Sequence, residues 1–283
     1  MIEQSFLRLS KSVLRLACFV LMVLMLGEPL SQSAATKPQL KPLTTDQILR
    51  RIRRAHILAN VPKNAFNSFL LSGCMRIDQS VLPKAAPNPE LNCIKEETGV
   101  LQPSHAYVSV AVGAGRVTEL IDIEQEKGWH IIDPATFSGS NPTRNMSPLH
   151  KMKYDALLEN TKHSLPALLA LLQKSDHLNE KEVEVTSDAN GIVLRWQTEH
   201  SLNEFFFNRT TFLCEKQVRS VGSEKSIMKY SGYRRVANVM LPYTIIAAKG
   251  DGTPIATREI RKWELAVQWP EDHFHPESIR LFQ

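Results

Sequence analysis

The 283-residue sequence lacks the short motifs that mark common catalytic and cofactor sites. It has no nucleophile elbow, no HExxH, no phosphate-binding glycine loop and no CxxC. Cysteine is scarce, at four residues, and the apolar stretch near the N-terminus is shorter than the roughly 20 residues that cross a bilayer as a helix. We therefore predict a protein that is not an enzyme and that binds no cofactor.

The excess of one charge sign is also small. Thirty-four Lys and Arg against 29 Asp and Glu give a formal net charge of +5, and +4 remains after the first 35 residues are removed. An excess this small and dispersed predicts no binding to nucleic acid. A weak attraction to anionic membrane surfaces stays open.

The first 35 residues are typical of an export signal. Three basic residues precede the apolar stretch Ala17 to Leu26, and Ser33-x-Ala35 offers a small-residue cleavage site. We predict a signal peptide over 1–35, cleavage near Ala35, and a periplasmic single domain over 36–283. Cys18 lies at the start of the apolar stretch rather than after it, so no lipid anchor is expected.

Three cysteines follow the predicted cleavage site. A proline-rich loop is predicted over 80–98. Cys74 and Cys93 flank its segment Leu82 to Pro89 and are the natural pair for one disulfide in an oxidising compartment. Three unpaired buried thiols are the alternative. Cys214 lies in an apolar strand, where packing is the expected role.

The mature chain opens with an amphipathic helix. Thr44-Thr45-Asp46-Gln47 has the capping-box pattern, and apolar residues then recur at helical spacing up to Asn60. The opposite face carries four arginines, which either face solvent or contact lipid phosphates. They are Arg50, Arg51, Arg53 and Arg54.

A helical insertion is predicted at about 146–174. Met146 to Leu158 has the pattern of one helix, and a second begins at Ser164 with Pro166 in its first turn. Leucines cover most of the circumference of this second helix, so protein or an apolar ligand must nearly enclose it.

The remaining segments alternate in polarity as strands do. About nine strands follow one another without crossover helices, which favours antiparallel pairing. In the last strand, Trp263, Leu265, Val267 and Trp269 share one face. Because twist accumulates across such a sheet, we predict an α+β fold with a strongly curved antiparallel sheet, unclosed and half-barrel-like, and helices covering its concave face.

The order and spacing of several segments resemble the outer-membrane lipoprotein-sorting proteins, the carrier LolA and its receptor LolB, and more closely their uncharacterised periplasmic relatives. The segments are Thr44 to Asn60 with a strand ending Ser72-Gly73, Gly128-Trp129, Leu165 to Leu172, Tyr230-Ser231-Gly232-Tyr233-Arg234, Asn238-Val239-Met240-Leu241-Pro242 and Phe274-His275-Pro276. The chain departs from the family at Asn238, where Gly is frequent, and in the added loop between Cys74 and Cys93.

This resemblance implies a carrier of lipid or of lipid-modified protein, with an acyl chain as ligand and an outer- or inner-membrane protein as a further partner. We predict that large apolar side chains line a hydrophobic cavity or its lid, although an ordinary core needs the same residues. The candidates are Trp129, Leu168, Leu169, Leu172, Trp196, Phe205, Phe207 and Trp263.

Two other functions remain open. An envelope sensor or assembly factor would use the same fold to bind a protein partner. A metal-dependent hydrolase would need ligands, and His273-x-His275 beside Glu271 and Asp272 is the best available pair, although no motif supplies a third ligand and a solvated chain end is the favoured interpretation. No metal site is therefore assigned.

Overall fold

The computed structural model describes residues 43–62, 64–78, 93–112, 115–133, 144–174, 183–188, 191–198, 201–277 and 279. The predicted signal peptide and its cleavage site near Ala35 lie outside these residues, as does most of the proline-rich loop over 80–98. The described part of the chain contains three helices. They are α1 Thr45–His56, α2 Lys151–Lys162 and α3 Leu165–Lys174.

Fifteen strands accompany these helices in the described residues. In chain order they are β1 Ser68–Ile77, β2 Ile94–Leu101, β3 His105–Val112, β4 Gly115–Asp122, β5 Lys127–Asp133, β6 Asn145–Pro148, β7 Val183–Asp188, β8 Gly191–Gln197, β9 Leu202–Phe207, β10 Cys214–Val221, β11 Glu224–Ser231, β12 Arg234–Val236, β13 Val239–Leu241, β14 Thr244–Lys249 and β15 Pro254–Leu265.

Thirteen of the strands form one antiparallel sheet. Its order is β6-β5-β4-β3-β2-β1-β15-β14-β11-β10-β9-β8-β7, while β12 and β13 form a separate hairpin. Two meanders therefore meet where the first strand pairs with the last, with Phe69 opposite Leu265 and Ile77 opposite Ala256. The order is linear, so the sheet is unclosed, and α2 and α3 connect its two edge strands. The predicted fold class is confirmed.

A bulge bends the sheet where the two meanders meet. The β1–β15 register shifts between Ser72 and Gly73. A Cβ on Gly73 would lie 2.3 Å from the carbonyl oxygen of Glu259, so the close approach of the two strands requires glycine at this position. Bulges increase local twist, which curls the sheet around the helices.

The concave face of the sheet packs against all three helices. Alternation in β1 sends Phe69 and Leu71 into this main core, where Ile48 and Ile52 of α1 and the buried leucines of α3 meet them. Thr44 caps α1 as predicted, because its side chain accepts a hydrogen bond from the Gln47 backbone amide and the Gln47 side chain accepts one from the Thr44 backbone amide.

A second, smaller core lies on the convex face. Tyr107, Leu120 and Ile131 point away from the helices and are covered by Phe274 and Ile279 from the end of the chain. Arg144 holds this end in place, since its guanidinium donates to the carbonyl oxygens of residues 276, 277 and 279 and pairs with Asp133.

Three predicted element boundaries are wrong. The segment from Met146 begins as strand β6, because Met146 pairs with Ile131, and the helix starts at Lys151. The loop over 80–98 ends earlier, since β2 begins at Ile94 and pairs with β1. The last strand ends at Leu265 because Ala266 adopts a φ of 54°.

That turn changes which face the last aromatic residues reach. Trp263 packs in the main core, whereas Trp269 packs against the convex cluster. The prediction that Trp263 and Trp269 share a face is therefore wrong. None of the helices in the described residues is long and apolar enough to span a membrane.

Candidate functional site

A cavity of about 180 Å³ lies between the concave face of the sheet and the junction of α2 and α3. Most of its lining is apolar. The apolar residues are Phe69, Leu71, Val100, Val108, Leu157, Leu165, Pro166, Met228, Pro242, Ile245 and Trp263. The polar residues are Thr98, Asn160, Thr161, Ser164, Gln217, Arg219, Ser226, Tyr230 and Arg258.

The apolar wall follows from strand alternation. Val100 on β2 and Val108 on β3 point to the concave face, and Leu157 of α2 and Leu165 of α3 face them from the other side. Asn160 and Ser226 also line the cavity and are exposed, so the cavity reaches solvent at their end.

Trp263 forms one fixed side of the cavity. Its indole N–H donates to the Pro242 carbonyl oxygen at 2.9 Å, and its ring lies 6.0 Å from the Phe69 ring. A buried indole needs such a partner, since an unpaired N–H would cost free energy. The hydrogen bond therefore holds the apolar face of the ring toward the cavity.

A hydrogen-bonded network connects α2 to the sheet beside the cavity. The Tyr230 hydroxyl donates to the Gln217 side chain at 2.7 Å, and Gln217 donates to the His163 carbonyl oxygen at 2.8 Å. Arg219 donates to Asn203, to Asn160 on α2 and to the Glu159 carbonyl oxygen. Burial lowers the pKa of the Arg219 guanidinium and raises the pKa of the Tyr230 hydroxyl.

The second arginine of the lining is also paired. Arg258 lies 2.9 Å from the carboxylate of Glu96, which is nearly fully buried on the same face of the sheet. Burial raises the pKa of the Glu96 carboxyl, and the positive charge of Arg258 opposes that shift. Arg219 therefore has hydrogen-bond acceptors within the protein, and Arg258 has an ion-pair partner there.

A second groove of about 210 Å³ lies on the other side of the same helix junction. Thr161 lines both spaces. The groove is bounded by Trp196, by Leu171 of α3 and by the turns after β2 and β4, and Lys162 and Lys174 stand at it. Trp196 packs edge to face on His163, with ring centroids 5.1 Å apart.

The structure separates the predicted cavity residues into several locations. Trp263 lines the cavity and Trp196 lines the second groove. Trp129 packs against the convex cluster, on the opposite side of the sheet. The other five candidates are buried in the main core and line neither space. They are Leu168, Leu169, Leu172, Phe205 and Phe207.

The sequence reasoning missed most of the actual lining. Phe69 and Leu71 carried a partial signal, because they lie two residues apart in an apolar strand segment, but Leu70 between them is apolar too. Gln217, Arg219 and Arg258 carried none, since a polar or charged residue on a strand is ordinarily a solvated one. Only the placement of α2 over β10 makes Arg219 part of the site.

The two cysteines that flank the proline-rich loop are joined. Cys74 on β1 and Cys93 just before β2 form a disulfide, with Cα atoms 4.9 Å apart. Cys214 is a free, fully buried thiol whose pKa is raised by burial. The disulfide lies outside the cavity lining and holds the two strands together.

The two histidines near the chain end, His273 and His275, lie in different environments. His273 is buried and stacks on Trp269, with ring centroids 4.4 Å apart, whereas His275 is exposed. Among the described residues, no group of three or more His, Cys, Asp or Glu side chains is placed to hold a metal ion.

No protein-family model and no curated protein matches the chain. Among solved structures, it is similar to a LolA-superfamily protein from Nitrosomonas europaea, at 12% identity and a TM-score of 0.47, over 82% of this chain and 98% of that one. A putative outer membrane lipoprotein-sorting protein domain from Vibrio parahaemolyticus matches at 7% identity and a TM-score of 0.35, over 83% and 97%.

A third solved structure, MucB, matches at 13% identity and a TM-score of 0.27, over 81% of this chain and 61% of that one. The first two names agree with the resemblance that the sequence segments indicate. Because these TM-scores are below 0.5, function is inferred from the cavity and not from the three structures.

Proposed function

We propose that the protein is a non-catalytic periplasmic carrier or binding protein for lipid or lipid-modified protein, and that an acyl chain of the cargo enters the cavity under α2 and α3. The observation that carries the proposal is an apolar cavity that reaches solvent beside Asn160 and Ser226. Each methylene moved from water into such a space contributes about 0.8 kcal/mol.

The charges around the cavity favour an uncharged occupant. Arg219 already donates to three oxygens of the protein, and Arg258 is paired with Glu96. A ligand carboxylate or phosphate would have to displace these acceptors, which leaves buried groups unpaired at a cost. Hydrocarbon displaces none of them.

The size of the cavity sets how much chain it holds. A cavity of roughly 150 Å³ is enough for benzene, so about 180 Å³ takes about six to eight carbons. A longer acyl chain must extend through the open end or displace α2. The polar network from β10 to α2 is what such a displacement would break.

The test fills the cavity from one strand. Val108→Phe adds a ring to the lining and is expected to weaken binding of a fluorescent acyl probe at least tenfold, the loss of about two buried methylenes. Val117→Phe is the matched control, because Val117 is also a half-buried valine on the concave face but lines neither space. Its probe affinity should stay within about twofold.

Lipid that co-purifies with the protein is the second measurement. Native mass spectrometry of protein from its own periplasm should show a bound acyl-containing species that Val108→Phe reduces and Val117→Phe keeps. Absence of both co-purified lipid and saturable probe binding in the wild type would reject the carrier function.

One observation favours binding of a protein partner as a second candidate function. The sheet is unclosed, and all four residues of the edge strand β6 are exposed. The free backbone groups of an edge strand can pair with an extended peptide. Protection of the backbone amides of residues 145–147 from hydrogen exchange by a peptide, with acyl-probe binding unchanged, would support this sensor or assembly role.

A further inference from the structure

Three arginines form a stripe along the outer face of α1. Arg50, Arg51 and Arg54 are spaced three and four residues apart and are all exposed, while Ile48 and Ile52 on the opposite face are buried. Side chains at this spacing are neighbours on a helix surface. The stripe is therefore one continuous positive surface.

The charges of this stripe are not balanced locally. Asp46 in the first turn is the single acidic residue of α1. Among the ion pairs of the described residues, none includes Arg50, Arg51 or Arg54. Their positive field is thus left available to a partner.

Helix stability does not explain the stripe. Like charges three or four residues apart destabilise a helix. Arg54 lies in the last turn, where a positive charge is stabilised by the helix dipole. Arg50 and Arg51 lie in the middle of the helix, where the dipole gives no such stabilisation. Arg51 also contacts the Phe212 ring at 5.4 Å, which fixes one guanidinium at the surface.

We propose that the outer face of α1 docks the protein on an anionic lipid bilayer, with Arg50, Arg51 and Arg54 contacting lipid phosphates. Guanidinium groups bind phosphate through two parallel hydrogen bonds, and juxtamembrane arginines gain from the negative potential of an acidic bilayer. The stripe consists of arginines alone and lies on the outer surface of a helix. Such a surface suits an array of lipid phosphates better than a protein interface, whose central residues are usually large and apolar. This surface is separate from the cavity.

The test compares two variants with the same loss of charge. Arg50→Gln/Arg51→Gln/Arg54→Gln removes the stripe. Lys95→Gln/Lys225→Gln/Lys229→Gln removes three exposed lysines from the convex face of β2 and β11. Each is made in the chain from Thr36 onward, which contains every described element, and folding is checked by circular dichroism.

Binding is measured by co-sedimentation with vesicles of phosphatidylglycerol and phosphatidylcholine, and with vesicles of phosphatidylcholine alone. Each arginine near an acidic surface is worth about a fivefold change in partitioning, so loss of the stripe should weaken binding to the acidic vesicles roughly a hundredfold. The lysine variant should stay near the wild type, since charges beyond a Debye length of about 8 Å contribute little.

Equal binding of the wild type to both vesicles would overturn the proposal, as would an equal loss in the two variants. If the arginine variant instead loses cross-links to an acidic envelope protein while vesicle binding is unchanged, the stripe is a protein-binding surface and the bilayer is rejected. Acyl-probe binding, measured in the same samples, should be unchanged in both variants. Absence of probe binding in the wild type would reject the carrier function but not the proposed membrane contact of α1.

Discussion

At the scale of single residues, His56 holds α1 to the sheet through both ring nitrogens. Nδ1 lies 3.0 Å from the Met240 carbonyl oxygen, and Nε2 accepts the Cys214 amide at 3.1 Å. Because Nε2 accepts, the proton is on Nδ1 and the ring is neutral. The side chain is fully buried, and burial lowers the pKa of His56 from 6.5 to about 4.

This depressed pKa predicts acid sensitivity. The folded state disfavours protonation of His56, so its contribution to stability is complete above pH 6.5 and is lost as the pH falls toward 4. The free energy of unfolding should fall by about 2 kcal/mol between pH 7 and pH 5 from this residue. Urea unfolding at the two pH values measures the difference.

His56→Gln is the control for that measurement. An amide side chain can also donate to Met240 and accept from Cys214 but does not titrate in this range. The variant should lose the part of the pH dependence that belongs to His56, while His163 and His273, whose pKa values burial also lowers, still contribute. An unchanged pH dependence would show that His56 is not the titrating group.

At the scale of elements, the first two strands are held by a covalent link as well as by their hydrogen bonds. Cys74 and Cys93 are 19 residues apart and close the loop that contains the proline-rich segment. Arg261 on β15 donates to the Cys93 sulfur, so the link also touches the strand that joins the two meanders.

Removal of the disulfide should destabilise the fold without weakening ligand binding in the cavity. Closing a loop of this length stabilises by about 3 kcal/mol in the chain-entropy model. Cys74→Ala/Cys93→Ala is therefore expected to lower the free energy of unfolding by about this amount in urea titrations, while acyl-probe affinity is kept. Dithiothreitol should destabilise the wild type similarly and leave the double variant unaffected.

At the scale of the whole molecule, the two faces of the curved sheet differ in what packs against them. The concave face carries the main core and the cavity, whereas the convex face of β2 to β5 carries the smaller cluster closed by the chain end. Stability and ligand binding should therefore be separable by mutation.

Phe274→Ala tests that separation. Phe274 is nearly fully buried, with its ring 6.0 Å from that of Tyr107 and 5.1 Å from that of Trp269. Truncation should lower the free energy of unfolding by about 3 kcal/mol. Acyl-probe affinity measured well below the unfolding midpoint should be unchanged, because the sheet separates this cluster from the cavity.

The exposed neighbour His275 supplies the control, since His275→Ala should change stability by less than about 0.5 kcal/mol. If Phe274→Ala weakens probe binding while the fold is intact, the two faces are coupled.

Local chemistry made much of the fold predictable from the sequence. The capping box at Thr44 begins α1 where the pattern indicates, and alternating residues mark most strands of the two meanders. An Asn-Gly pair between two alternating segments is typical of a hairpin, and the sequence has one at Asn190-Gly191, where β7 and β8 pair through Asp188 and Gly191. These features depend on neighbours a few residues away, so a single sequence contains them.

The cavity could not be located in the same way. Alternation tells which face a side chain takes, but a cavity exists only where helix and sheet stand too far apart for their side chains to meet. Leu168 and Phe205 are buried in the main core and line no space, while Leu165 and Val108 line the cavity, and no difference in residue type separates the two pairs.

The sequence by itself determined the antiparallel strands, the capped helix and the apolar side of each, because these follow from side-chain periodicity and backbone hydrogen bonding within short segments. The tertiary structure alone decided that β1 pairs with β15, that the chain end covers the convex face, and that Arg219 and Trp263 border one space. Those contacts join residues far apart in the chain, and the packing of the whole molecule fixes them.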